Sequence, residues 1–151
     1  MSKITPFLWF NDQAEEAINF YTSIFKNSKI INMNRHGDKV FSGVFELEGQ
    51  LFHALNGGPM YKFNPAISLF VNCDNQSEVD LLWEQLIADG GAPGRCGWCT
   101  DKFGLSWQII PKALGQLMGD KDPNKAQRVM QAMMGMNKID VAGLEKAYSG
   151  E

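Results

Sequence analysis

The first half of the chain returns in the second half at a fixed offset of 63 residues. Ile4-Thr5 answers Ile67-Ser68, Gln13-Ala14-Glu15 answers Gln76-Ser77-Glu78, and Asp38-Lys39 answers Asp101-Lys102. Past a short insertion the offset falls to 55, and Leu51-Phe52-His53 faces Ser106-Trp107-Gln108. A half-domain of about 60 residues used twice constrains the fold strongly. Two such copies usually bury their apolar faces against each other, and the cleft between them is a natural place for a ligand.

At 151 residues the chain is the size of one ordinary domain, residues 1-151, and 44% of it is apolar, enough to build a core. The net charge is −3 and no stripe of Lys and Arg occurs, which argues against a nucleic-acid partner. Met1-Ser2-Lys3 runs straight into a strand-like segment, so no secretory leader is expected. No apolar run reaches the length of a bilayer, so no membrane partner is expected either. Three cysteines, Cys73, Cys96 and Cys99, fit a reducing, cytoplasmic setting better than a disulfide framework.

Within the first unit (3-58), Ile4 to Phe10 reads as a strand, with Pro6 near its start. Asp12 is placed to cap a helix, with Glu15 three residues on. Ala14, Ala17, Ile18, Tyr21, Ile24 and Phe25 give that helix an apolar stripe. Strands are expected at Ser28 to Arg35, Lys39 to Glu48 and Gln50 to Asn56, with turns at Gly37-Asp38 and Gly49-Gln50. A linker, 59-65, ends at Asn64-Pro65.

The pattern then restarts in the second unit (66-111). Ala66 to Asn72 reads as a strand. Asn75 caps a helix whose apolar face is Val79, Leu82, Trp83, Leu86 and Ile87, stopped at Gly90-Gly91. Strands are expected at Gly94 to Gly97, Trp98 to Lys102 and Leu105 to Ile110, with Phe103-Gly104 turning between the last two. The tail (112-151) reads as three helices, Lys112 to Met118, Pro123 to Met136 and Val141 to Tyr148. Val129, Met130, Met133, Met134 and Met136 form a Met-rich stripe there, read first as core packing with Met as adaptable filler. A dimer contact or a lid is the sharper alternative.

Several local motifs carry a resemblance: Ala14-Glu15-Glu16-Ala17 followed by Phe20-Tyr21, then Ala54-Leu55-Asn56-Gly57-Gly58-Pro59, then Cys96-Gly97-Trp98 with Asp101-Lys102-Phe103-Gly104-Leu105-Ser106-Trp107-Gln108. With the element order, these resemble the PhnB-like branch of the vicinal oxygen chelate superfamily, which includes glyoxalase I, extradiol dioxygenases and bleomycin-resistance proteins. The likeness spans about residues 3 to 148. It implies an α+β fold of two βαβββ units forming a curved mixed sheet, or cup, plus C-terminal helices.

Members of that branch often carry the label 3-demethylubiquinone-9 3-methyltransferase. The sequence argues against that chemistry. It lacks the glycine-rich strand-to-helix turn that commonly holds a methyl donor in a doubly wound sheet.

The resemblance also implies four metal-ligand positions, on the first and last strands of each unit. They fall at Thr5, His53, Ser68 and Gln108. Strand alternation places Thr5, Phe7 and Trp9 on one face, Leu51, His53 and Leu55 on one face, and Ser68, Phe70 and Asn72 on another, with Gln108 beside Ser106 and Ile110. Two hydroxyls, one imidazole and one amide are weak donors for zinc or iron, so no bound metal or other cofactor is expected. Histidine as a residue type suits proton transfer near neutrality, which makes His53 the candidate catalytic group. A hydrogen-bonded core histidine is the plainer reading. His36, beside Gly37-Asp38, reads as solvated.

Phe7, Trp9, Leu55 and Phe70 would supply apolar walls, and Trp98 a further wall or core ring. Cys96-Gly97-Trp98-Cys99 has redox spacing but falls among strands, without the helix N-terminus that lowers a thiol pKa. Three functions fit these residues. The first is a metal-free homodimer binding a small, partly apolar molecule. The second is a metal-assisted lyase, isomerase or dioxygenase. The third is an interaction module acting through the Met-rich tail.

Overall fold

The computed structural model describes residues 2–151. The chain divides into two compact units, Met1–Phe63 and Asn64–Glu151, so the tail belongs to the second unit.

The first unit contains β1 (Phe7–Phe10), α1 (Ala14–Ile24), β2 (Ser28–His36), β3 (Lys39–Leu47) and β4 (Gln50–Asn56). The second contains β5 (Ser68–Cys73), α2 (Gln76–Ile87), β6 (Ala92–Pro93), β7 (Trp98–Thr100) and β8 (Ser106–Pro111), then α3 (Lys112–Met118), α4 (Pro123–Met134) and α5 (Val141–Ser149). The two sheets have the same topology, β1-β4-β3-β2 and β5-β8-β7-β6. In each, the first and last strands pair in parallel and the other pairs are antiparallel. The register repeats as well: Phe7 lies opposite His53, and Phe70 opposite Gln108. These are the partners that the offsets of 63 and 55 relate.

Helix α1 covers one face of the first sheet, because its stripe of Ala14, Ala17, Ile18 and Tyr21 is wholly buried. Tyr21 stacks on Phe45, and Phe45 on Phe52, with centroids 6.3 and 5.3 Å apart. Along β4 the alternation is clean: Phe52 and Ala54 are buried against the helix, while Leu51, His53 and Leu55 point to the other face and are half-buried. In the second unit, Val79, Leu82, Trp83 and Leu86 of α2 pack over β8, whose Trp107 and Ile109 are buried.

Several boundaries differ from the sequence expectation. The first strand begins at Phe7, not Ile4, because the β1–β4 ladder starts where Phe7 meets His53. Asp12 does not cap α1. Gln13 occupies the cap position without a side-chain bond. The Ala14 N–H instead donates to Asn56 Oδ1 at 2.8 Å, and Asn56 Nδ2 donates to the Val40 carbonyl at 3.0 Å. The end of β4 thus closes the start of the helix.

Gly94 to Gly97 is not a strand but a turn, with Cys96 and Gly97 at φ 59° and 86°, and the neighbouring strand is the two-residue β6. The next strand stops at Thr100 because Asp101 turns inward. Helix α4 ends at Met134, with Gly135 as its C-cap. Asn75 does cap α2, its Oδ1 accepting from Glu78 N–H at 3.0 Å, a contact typically worth about 1 kcal/mol.

The tail is part of the second unit's interior. Ile110, Leu114, Val129, Ile139 and Leu144 form a buried cluster, with Met118, Met133, Met136 and Tyr148 packed against it. The turn at Cys96-Gly97 docks on the tail: Cys96 N–H donates to Met136 O and Gly97 N–H to Asn137 O, both at 2.8 Å. A Cβ on Gly97 would stand 2.5 Å from Ile110 Cδ1, so only glycine fits there. On the other side, Gln76 donates to Ile139 O (2.9 Å) and accepts from Val141 N–H (2.7 Å).

Candidate functional site

The face of the first sheet turned away from α1 is built in rows across the strands. One row runs Trp9, Leu55, Ser42, Asn34, and the next runs Phe7, His53, Val44, Asn32. His53 therefore has Phe7 and Val44 beside it and Leu51 and Leu55 above and below it. The Phe7 ring is tilted over the imidazole, with centroids 5.2 Å apart. The His53 backbone N–H donates to Pro6 O at 2.9 Å, while the imidazole has no hydrogen bond to any described residue. It is half-buried in an apolar frame, and its ring nitrogens remain accessible from outside the protein.

Trp9 is held firmly. Its indole N–H donates to Gly58 O at 3.0 Å, and Tyr61 meets the ring edge-on at 5.0 Å. A Cβ on Gly57 would lie 2.4 Å from the indole, so this glycine lets the ring lie against the backbone. Trp9 can thus offer a ligand its ring but not its N–H. Thr5 lies before β1, half-buried, instead of within the strand as the sequence placed it. His36 is exposed, its ring edge-on to Phe41 at 5.9 Å.

The equivalent row of the second sheet is Phe70, Gln108, Trp98. Gln108 Nε2 donates to Ser68 Oγ at 3.0 Å, so these two expected ligand positions bond to each other. Phe70 is 59% exposed. Beside it, between β5 and the start of α3, lies an open groove of about 440 Å³ lined by Phe70, Asn72, Ile110, Pro111, Lys112, Gly115 and Gln116. The α3 side of this groove was not legible in the repeat, because α3 has no counterpart in the first unit.

Structure thus groups Phe7, Trp9, His53 and Leu55 on one sheet face, and Ser68, Phe70, Trp98 and Gln108 on another. The donor set does not suit a transition metal. Among the described residues, no three His, Cys, Asp or Glu side chains stand close enough to share an ion. Ser68 and Gln108 are neutral and already paired.

Cys73 and Cys99 do not suit redox chemistry. Burial, helped by the nearby Asp101, pushes Cys99 up to about 12. Burial, with Glu78 and Asp74 adding, pushes Cys73 up to about 12. A thiol held protonated is a poor nucleophile.

Two βαβββ units, each with a parallel pairing of its first and last strands, define the glyoxalase/bleomycin resistance/dioxygenase fold. Within that fold the chain belongs to the 3-demethylubiquinone-9 3-methyltransferase family, whose sequence model matches residues 2–110. It is a PhnB-like member. A Bacillus cereus PhnB protein carrying the same methyltransferase label is 35% identical, with a TM-score of 0.68 over 73% of this chain and 99% of that one. Protein PA1353 from Pseudomonas aeruginosa shares the fold at 20% identity and TM-score 0.63, over 74% and 98% of the two chains. A glyoxylase/bleomycin resistance protein/dioxygenase domain from Frankia sp. EAN1pec does so at 15% identity and TM-score 0.50, over 74% and 92%. No curated protein sequence matches the chain.

Proposed function

We propose that this protein binds a small, partly apolar molecule on the sheet faces turned away from α1 and α2, without a transition metal, as a cytoplasmic homodimer. The observation that carries the reading is His53. Its imidazole is half-buried among Phe7, Val44, Leu51 and Leu55, bonds to no described residue and keeps its nitrogens accessible, so it is free to take a bonding partner from outside the protein. A ligand supplies that partner, and the same imidazole can pass a proton to it. On the first sheet Thr5 orients polar groups and Phe7, Trp9 and Leu55 form the walls; on the second, Ser68 and Gln108 orient polar groups and Phe70 and Trp98 form the walls.

The methyl transfer in the family's name is not favoured. Each sheet holds a single parallel pair, and among the described residues no glycine-rich turn leads from a strand into a helix. The metal-assisted alternative lacks a suitable donor set. The interaction-module alternative rests on Met130 and Met134 alone, which are exposed, because Val129, Met133 and Met136 of the same stripe pack into the second unit's core. No helix is long and apolar enough to cross a membrane among the described residues.

The test is a thermal-shift screen of small molecules on the wild type, followed by titration of each hit against His53→Ala and His36→Ala. Loss of one buried contact should weaken binding about 5- to 150-fold for His53→Ala. His36→Ala should match wild type. Equal affinity of every hit for His53→Ala would make the imidazole merely structural.

A further inference from the structure

The open face of the first sheet changes character halfway across. Over β1 and β4 its two rows present Trp9, Leu55, Phe7 and His53; over β3 and β2 they present Ser42, Asn34 and Asn32 beside Val44. The polar half is wired in one direction. Asn32 Nδ2 donates to Asn34 Oδ1 at 3.3 Å, and Asn34 Nδ2 donates to Ser42 Oγ at 2.8 Å.

The chain of bonds stops at Ser42. Its oxygen is occupied as an acceptor, and its own O–H has no acceptor among the described residues. Ser42 is half-buried and stands directly opposite Leu55, on the seam between the two halves. A hydroxyl that already accepts a bond is a better donor.

Charge and length narrow the occupant. The next row pairs Glu46 with Lys29, so formal charges on this face cancel and nothing on it favours an anion. Two strand spacings separate Trp9 from Ser42, roughly 10 Å. That is the length of a fused two-ring aromatic bearing one carbonyl group.

We infer that the first sheet selects a neutral aromatic carbonyl compound, its rings over Trp9 and Leu55 and its carbonyl oxygen accepting the Ser42 O–H, with Asn34 as the positioning residue for that hydroxyl. The inference rests on the reading that this face binds a ligand. It adds the class of ligand and a specificity residue on β3 that the repeat does not mark.

The full-length chain is titrated with three matched probes: 2-acetylnaphthalene, 2-ethylnaphthalene and 2-naphthoate. The ketone should bind about 5- to 10-fold more tightly than the hydrocarbon or the carboxylate. Ser42→Ala should bring the ketone down to the hydrocarbon's affinity and leave the hydrocarbon unchanged, while Ser42→Thr, which keeps the O–H, should retain the preference. Asn34→Ala, at an exposed position, should lower ketone affinity by a smaller factor, and it serves as the test if Ser42→Ala does not fold.

Ketone affinity unchanged in both Ser42→Ala and Asn34→Ala overturns the inference, as does tightest binding of the carboxylate. If His53→Ala still weakens the ketone in that case, ligand binding on this face stands and only the role of Ser42 falls. No binding of any probe to wild type overturns the inference too, and the wider screen with His53→Ala then decides the site.

Discussion

Asp101 and Trp107 are joined inside the second unit: Asp101 Oδ2 accepts the indole N–H at 2.9 Å, and both residues are buried. The other carboxyl oxygen accepts the backbone N–H groups of Phe103 (2.9 Å) and Leu105 (3.1 Å). The backbone closes the same turn, with Gly104 N–H on Asp101 O and Asp101 N–H on Leu105 O, each at 2.9 Å. One carboxyl group therefore shapes the connection from β7 to β8 and fixes the ring beneath Gln108's strand. Asp101→Ala removes the carboxyl acceptor from three donors, two of them buried, at about 1–3 kcal/mol each. Urea unfolding should show a loss of at least about 3 kcal/mol. Asp101→Asn should cost less, since its single oxygen still serves the backbone donors. A loss below about 0.5 kcal/mol in the Ala variant would contradict this role.

Stability should fall at alkaline pH because of Cys73 and Cys99. In the unfolded chain these thiols ionise near 9.0, whereas in the fold they hold their protons to about 12. Below pH 9 both states are protonated, and the thiols add no pH dependence. Between about 9 and 12 the unfolded state alone loses protons, so stability drops as pH rises. The drop across that window is on the order of 2–4 kcal/mol per thiol. Urea midpoints at pH 8, 9.5 and 10.5, under reducing conditions, should decline less steeply in Cys73→Ala/Cys99→Ala than in wild type. At pH 8, iodoacetamide should label only half-buried Cys96 in the native protein.

Gln76 should govern how firmly the tail is held. Its amide joins α2 to Ile139 O and Val141 N–H, and its neighbour Asp80 takes both Gln76 Nε2 (2.9 Å) and Lys138 Nζ (2.8 Å). Lys138 and Gln76 together keep the Asp80 carboxyl below the usual carboxylate range. Gln76→Leu should speed amide exchange at Val141 and the first turn of α5, with little change in the first unit. It should cost about 1–3 kcal/mol of stability. Exchange rates at Val141 equal to wild type would refute the clamp.

Elemental analysis of untagged protein should find no stoichiometric zinc, iron, nickel or manganese. The basis is the chemistry of Thr5, His53, Ser68 and Gln108, of which only His53 offers a strong transition-metal donor. One tightly held transition metal per chain would overturn the metal-free reading.

The repeat made the architecture legible. Its offset of 63 relates Phe7 to Phe70 and its offset of 55 relates His53 to Gln108, and the two sheets align these pairs in the same register. Asp38-Lys39, by contrast, leads from β2 into β3 and Asp101-Lys102 lies between β7 and β8, so that match has no structural counterpart. Alternation along β4 correctly separated Phe52 and Ala54 from His53 and Leu55. What the sequence hid was set by partners distant along the chain. Asp12 looked like the cap of α1 by local spacing, yet Asn56, 42 residues on from Ala14, takes that N–H. Gly94 to Gly97 looked like a strand from its repeat position, but the tail captures Cys96 and Gly97 through backbone bonds. The Ser42–Asn34–Asn32 wiring depends on bulges in β2 and β3, which break simple alternation.

The two hydrogen bonds of Asn56, from the Ala14 N–H and to the Val40 carbonyl, tie the start of α1 to the ends of two strands that come later in the chain. During synthesis α1 leaves the ribosome first, but its N-terminus stays open until residue 56 has followed. A fragment of the first unit that stops before Asn56 leaves the Ala14 N–H without this acceptor, whereas α2 of the second unit carries its own cap in Asn75.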